Sequence, residues 1–126
     1  MPSVIDTGLV GFMFNSSSSY PYLMSEARII TGSCASMTNN FAGGSDIDDA
    51  WLVFPGYKLI LYDLAGHDVS GGTKEIDNTQ GQYPKMFHFT QNINKTASFK
   101  AFYKGGGQLP DMSGNILYTD DASGPP

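Results

Sequence analysis

One ungapped register constrains this chain more than any other feature: moved by 48 residues, the sequence lies on itself with like over like. Gly8 falls on Gly56, and the block from Leu9 to Phe14 falls on the block from Tyr57 to Tyr62. Further along, Phe41 meets Phe89, Asp46 meets Asn94, Ala50 meets Ser98, Trp51 meets Phe99 and Phe54 meets Phe102. The chain therefore reads as two related halves, 1–55 and 56–104, followed by an extension over 105–126. At 126 residues there is room for one domain with one core and not for two ordinary domains.

The blocks that repeat are strand-like. Residues 8–14, 27–31, 51–54, 57–62, 86–90 and 98–103 are short, aromatic or β-branched runs. In the last two, Phe87 and Phe89 fall on one face, as do Phe99, Ala101 and Tyr103, the two-residue period of a half-buried strand. Turn chemistry separates the runs: residues 15–19 before Tyr20-Pro21, then Gly43-Gly44-Ser45, Pro55-Gly56, Ser70-Gly71-Gly72 and Gly105-Gly106-Gly107. The fold class expected is all-β, with two Greek-key halves forming a β-sandwich and a Gly/Pro-rich C-terminal tail.

Only 15% of residues are charged, against about 25% in an ordinary soluble domain, so the exterior is built largely from uncharged polar residues. A net charge of −5 with seven scattered Lys and Arg argues against nucleic acid as a partner. Residues 1–14 lack the basic region and apolar run of a signal peptide, and no stretch is apolar enough for a membrane span, so cytoplasmic synthesis is expected. Cys34 stands alone, and no second thiol is present for a disulfide or a metal cage.

The second half resembles the βγ-crystallin module. The resemblance rests on the run from Asp46 through Trp51-Leu52-Val53-Phe54-Pro55-Gly56 to Tyr62-Asp63, on Ser70-Gly71-Gly72, and on Ala97-Ser98-Phe99-Lys100. In that family a strand of the form K-x-x-x-Y-E leads to an aromatic-x-Gly turn, and N/D-N/D-x-x-S/T-S precedes the last strand of each Greek key. Val69 stands where the family has an aromatic residue. The resemblance implies a calcium site in residues 45–50, with Asp46 and Asp49 supplying carboxylates. Residues 93–98 lack oxygen donors at the first and fifth positions, so weak calcium binding is the most this pair of loops would support.

No nucleophile elbow, P-loop, dinucleotide fingerprint or zinc-protease helix is present, and no enzymatic activity is expected. Asp63, His67 and Asp68 miss EF-hand spacing and read as a polar hairpin tip, while His88 alternates with Phe87 and Phe89 and is expected to face solvent. The apolar island Asn115-Ile116-Leu117-Tyr118 is expected to add an edge strand to this sheet or a neighbour's, making Ile116, Leu117 and Tyr118 candidate interaction residues. The role these features favour is a non-catalytic structural protein, a minor or cementing subunit of an assembly such as a virus capsid. Its partners would be other subunits, copies of itself included. Two alternatives stand beside it: a calcium-binding βγ-crystallin-like module with no other cofactor, and a glycan- or ligand-binding sandwich using Tyr20, Tyr22 or Tyr83.

Overall fold

Aromatic and β-branched residues fill a pleated surface well, and runs of them punctuated by Gly, Pro and Asn favour short strands over helices. The computed structural model describes residues 9–17, 20–40, 44, 46–104 and 117–126. Among these the strands are β1 (Gly11–Ser17), β2 (Tyr20–Ile30), β3 (Ala50–Val53), β4 (Tyr57–Tyr62), β5 (Thr73–Asp77), β6 (Lys85–Gln91), β7 (Ser98–Tyr103) and β8 (Leu117–Ser123). Helix is confined to a single α-helical turn, Met37–Asn40, and two 3-10 turns, Ala65–His67 and Val69–Gly71. The protein is all-β.

The strands form two sheets, one in the order β2-β1-β3-β6-β8 and one in the order β5-β4-β7. Neighbours are antiparallel except β6 and β8, which run parallel. In the first sheet the cross-strand row Met13, Trp51 and Phe87 is buried. Facing it are Leu59, Leu61, Ile76 and Phe99 of the second sheet, all at or near zero exposure. The two layers meet where the Trp51 and Phe99 rings touch edge to face, 5.4 Å apart at 71°. Each such fully buried side chain contributes about 1.5–3 kcal/mol through the area it removes from water.

Two links cross between the sheets. Cys34 and Phe99 exchange backbone hydrogen bonds of 2.8 and 2.9 Å, so a residue from 1–55 lies against β7 of the second sheet. Conversely, β6 from 56–104 lies beside β3 in the first sheet. A second reciprocal pair joins the loops before β3 and β7: Asp46 N donates to Thr96 O at 2.9 Å and Asn94 N to Asp48 O at 2.5 Å. Asp46 and Asn94, 48 positions apart, both have φ of 59°, a left-handed conformation that Asp and Asn tolerate better than most residues.

The structure differs from the sequence expectation in three places. β5, TKEID, carries a single buried apolar residue, Ile76, too little for its period to stand out. β1 starts at Gly11 and runs to Ser17, and β2 begins at Tyr20, so the polar stretch expected as turn is largely strand. His88, expected in solvent, is half-buried beside Ala50, because both faces of the first sheet carry apolar side chains.

At Gly11 the backbone of β1 lies close against β3. A Cβ there would fall on the Leu52 carbonyl, whereas a Cβ on Gly32 would meet nothing within 4 Å. Gly11→Ala is therefore expected to cost about 1–3 kcal/mol, and Gly32→Ala to be neutral or stabilising by up to about 1 kcal/mol. Urea unfolding of the two variants checks this contrast, and equal stabilities would contradict the close approach.

Candidate functional site

The acidic loop before β3 is the densest group of ionisable side chains in the sequence, and the fold gives its members different surroundings. Asp48 is fully buried. Its Oδ2 accepts from Trp51 Nε1 at 2.8 Å and from Thr96 Oγ1 at 2.7 Å, and its Oδ1 accepts from Thr96 N at 3.0 Å. One carboxylate thus ties the loop before β3 to the loop before β7 and fixes the central tryptophan. Three donors, two of them from the residue 48 positions later, satisfy a charge that would be costly to bury alone.

Asp49, also buried at 7% exposure, has its backbone engaged on both sides, donating to Phe14 O at 3.1 Å and accepting from Phe89 N at 2.9 Å. Asp46 lies outward. Partial burial pushes its carboxyl above the ordinary value of 3.8, helped by the neighbouring Asp63 and Asp48 charges and opposed by Lys95. Lys95 reaches Asp63 at 3.8 Å. Among the described residues, no group of three or more His, Cys, Asp or Glu side chains is placed to hold a metal ion. Asp46 and Asp49 are neighbours in sequence with different roles in space.

His67, read from sequence as part of a polar hairpin tip, instead clamps the crossing between the sheets. Its Nε2 lies 3.2 Å from Cys34 O and 2.9 Å from Phe99 O, so the Nε2–H tautomer donates to both carbonyls. Gly66 N donates to Ala35 O at 2.7 Å, and Ser98 Oγ donates to Leu64 O at 2.6 Å. Nothing in local spacing foretells this, since the partners are some thirty residues away. The other half of the tip behaves as read: Asp68 is exposed, and its carboxyl is held low by the Ser70 hydroxyl and then by the Ser70 amide.

Of the tail residues, Ile116 lies outside the described residues. Leu117 and Tyr118 pair in β8 with Lys85 and Met86 of this chain's own first sheet. The end is held by the same sheet: Gly124 N donates to Gln91 O at 3.0 Å, Asn92 Nδ2 donates to Ser123 Oγ at 3.1 Å, and Pro125 is buried. The described part of the tail therefore needs no neighbour to hold it. Tyr20 and Tyr22 belong to β2, and Tyr83 is half-buried, its carbonyl accepting from Asn78 Nδ2 at 2.8 Å.

The outer face of the first sheet is apolar as well. Residues that alternate with the core row form a second apolar row, Ile29, Phe12, Leu52 and Met86, aligned across four strands. Phe12 packs on Phe54 edge to face at 6.0 Å and lies 6.3 Å from Phe14. Leu52 and Met86 in that row are buried, Phe12 is half-buried, and Ile29 at its edge is 62% exposed. Among the described residues no helix is long and apolar enough to cross a membrane. No protein-family model, curated protein or solved structure matches the chain.

Two outcomes follow from the acidic loop. Asp48→Ala strands the Trp51 and Thr96 donors in the interior and is expected to cost about 3 kcal/mol or more, while Thr96→Val costs about 1–2 kcal/mol. A double-mutant cycle in urea should give a coupling of about 1 kcal/mol or more, and additive effects would contradict the bond. Asp46 behaves oppositely: because its folded value is raised, its ionised form opposes folding above that value, and the penalty disappears as pH falls through it. Asp46→Asn should raise neutral-pH stability by a few tenths of a kcal/mol, allowing for solvent screening, with no gain below the ordinary carboxylate value of 3.8. Thermal melts at both pH values check the sign.

Proposed function

We propose that this chain is a non-enzymatic structural protein, a minor or cementing subunit of a larger assembly such as a virus capsid. The observation that carries the reading is Ile29, a large apolar side chain 62% exposed at the edge of the first sheet. Ile29, exposed beside the half-buried Phe12, is the apolar side chain there that a contact with another protein would cover. The low share of charged residues makes the remaining surface cheap to desolvate against a neighbour. The buried polar side chains point the same way, since Asp48, Thr96 and Asn78 all serve bonds that hold the fold.

We also read the architecture as a double Greek key of the βγ-crystallin type. The support is the exchange between layers: Cys34 from 1–55 sits against β7, and β6 from 56–104 sits against β3. The pairs 46 with 94 and 48 with 96 at the loop contacts give the 48-residue register a physical counterpart. In such a duplicated sandwich each half lacks a strand that the other supplies. Neither half is then expected to fold alone.

The test uses a single surface change. Ile29→Glu is expected to leave the monomer's unfolding free energy within about 0.5 kcal/mol of wild type, as exposed sites do, while lowering incorporation into the native particle severalfold. Sedimentation of the particle with quantitative detection of the chain reads both forms. Wild-type chain that migrates only as a lone monomer, absent from every particle fraction, would refute the assembly role.

A further inference from the structure

Resting on that reading of the chain as an assembly subunit, we propose that the edge of β7 takes an extended acidic segment of a neighbouring protein subunit as an added strand. The two sheets are built alike up to this edge. β1 overlaps β4 in the 48-residue register, β3 overlaps β7, and β2 lies on β1 as β5 lies on β4. On its far side β3 is paired with β6 along Ala50, Trp51, Leu52 and Val53, and β8 lies beyond β6. At the same place β7 has, among the described residues, the single bridge between Phe99 and Cys34. The second sheet stops where the first continues for two more strands.

The backbone along this edge is open past Phe99. Phe99 turns both its amide and its carbonyl to Cys34, and alternation turns those of Ala101 and Tyr103 the same way. Lys104 N, which donates to Gly56 O at 2.8 Å, has the opposite parity and faces β4. Ala101 N donates to the Ser33 hydroxyl at 2.8 Å, a side chain standing where a further strand would offer a carbonyl. Ala101 O, Tyr103 N and Tyr103 O have no hydrogen-bond partner among the described residues. Donors and acceptors left open on a strand edge are a template for an extended peptide.

The side chains beside that edge select the occupant. Ala101 and Tyr103 pack against the core, so Lys100, Phe102 and Lys104 alternate onto the outer face. Phe102 is 42% exposed. Lys58 and Lys95 have acidic partners in Glu75 and Asp63, whereas Lys100 and Lys104 have no ion-pair partner among the described residues. Two uncompensated cations with an apolar ring between them match a strand whose outer face reads acid, apolar, acid at every second residue. Opposite charges on neighbouring strands attract and like charges repel, so a basic segment is refused.

Amide NMR of the full chain, titrated with the blocked peptide TETVTET, tests the assignment. The amides of residues 101–104 should shift, with a Kd of about 0.1–1 mM, and the basic peptide TKTVTKT should bind roughly tenfold more weakly or less. Changing Lys100→Glu together with Lys104→Glu should reverse the order of the two peptides, a gain that a chain with a damaged fold would not show. Methylating alternate peptide nitrogens should abolish binding for the set that faces β7 and spare it for the other set. Absence of shifts at about 10 mM peptide, equal affinity for both peptides, or shifts centred on another strand would overturn the proposal. Particle sedimentation decides the assembly role separately: a chain found in particles that ignores the peptide loses only this edge assignment, and a chain that binds the peptide but enters no particle loses only the assembly reading.

Discussion

The structure depends on one buried carboxylate. Asp48 accepts from the Trp51 indole, the Thr96 amide and the Thr96 hydroxyl at 2.7–3.0 Å, and through them it joins the loops that deliver β3 and β7 to the core. Burying an ion is favourable only when its oxygen atoms are fully bonded. Here the bonds come from both layers, so the satisfied charge also sets how the two sheets meet. The Trp51 and Phe99 rings touch 5.4 Å apart just beyond it. Specific placement of the core aromatics and satisfaction of Asp48 are one requirement.

Much of this was legible in the sequence, and the failures have a common cause. Regular alternation exposed β6 and β7, and aromatic and aliphatic density exposed β4, because a strand buried on one or both faces writes its environment into neighbouring residues. β5 was illegible because an edge strand with one buried residue, Ile76, carries almost no period. The 48-residue register located Asp48 against Thr96 and Trp51 against Phe99, yet a simple reading of Asp46, Asp48 and Asp49 as one acidic site was unavailable to the fold. Asp48 had already turned inward, a choice made by donors 48 positions away.

The same register does not hold through the middle of each half. Met37 N donates to Ala97 O and Phe89 N to Asp49 O, both at 2.9 Å; Ala97 and Asp49 differ by 48 positions, whereas Met37 and Phe89 differ by 52. Met37 and Phe89 are both buried and hold matching places in the two layers. The linear match of Phe41 to Phe89 involves a residue outside those described. An ungapped comparison holds one offset throughout and so does not show this local shift of four positions. His67 escaped notice for a related reason, since its partners, the Cys34 and Phe99 carbonyls, are backbone groups that leave no trace in residue identity.

Asp48, Thr96 and Asn78 in the interior serve bonds that hold the fold, and the proposed contact lies at the surface. Ile29, Phe12, Leu52 and Met86 make the first sheet apolar on both sides; Leu52 and Met86 are buried within the chain, and Ile29 is the exposed member on which the proposed contact rests. The most direct measurement is an electron-microscopy map of the native assembly at a resolution that traces side chains. The account predicts this chain in repeated positions, with Ile29 seated against a neighbouring subunit in each. A map in which Ile29 faces solvent in every copy would contradict it.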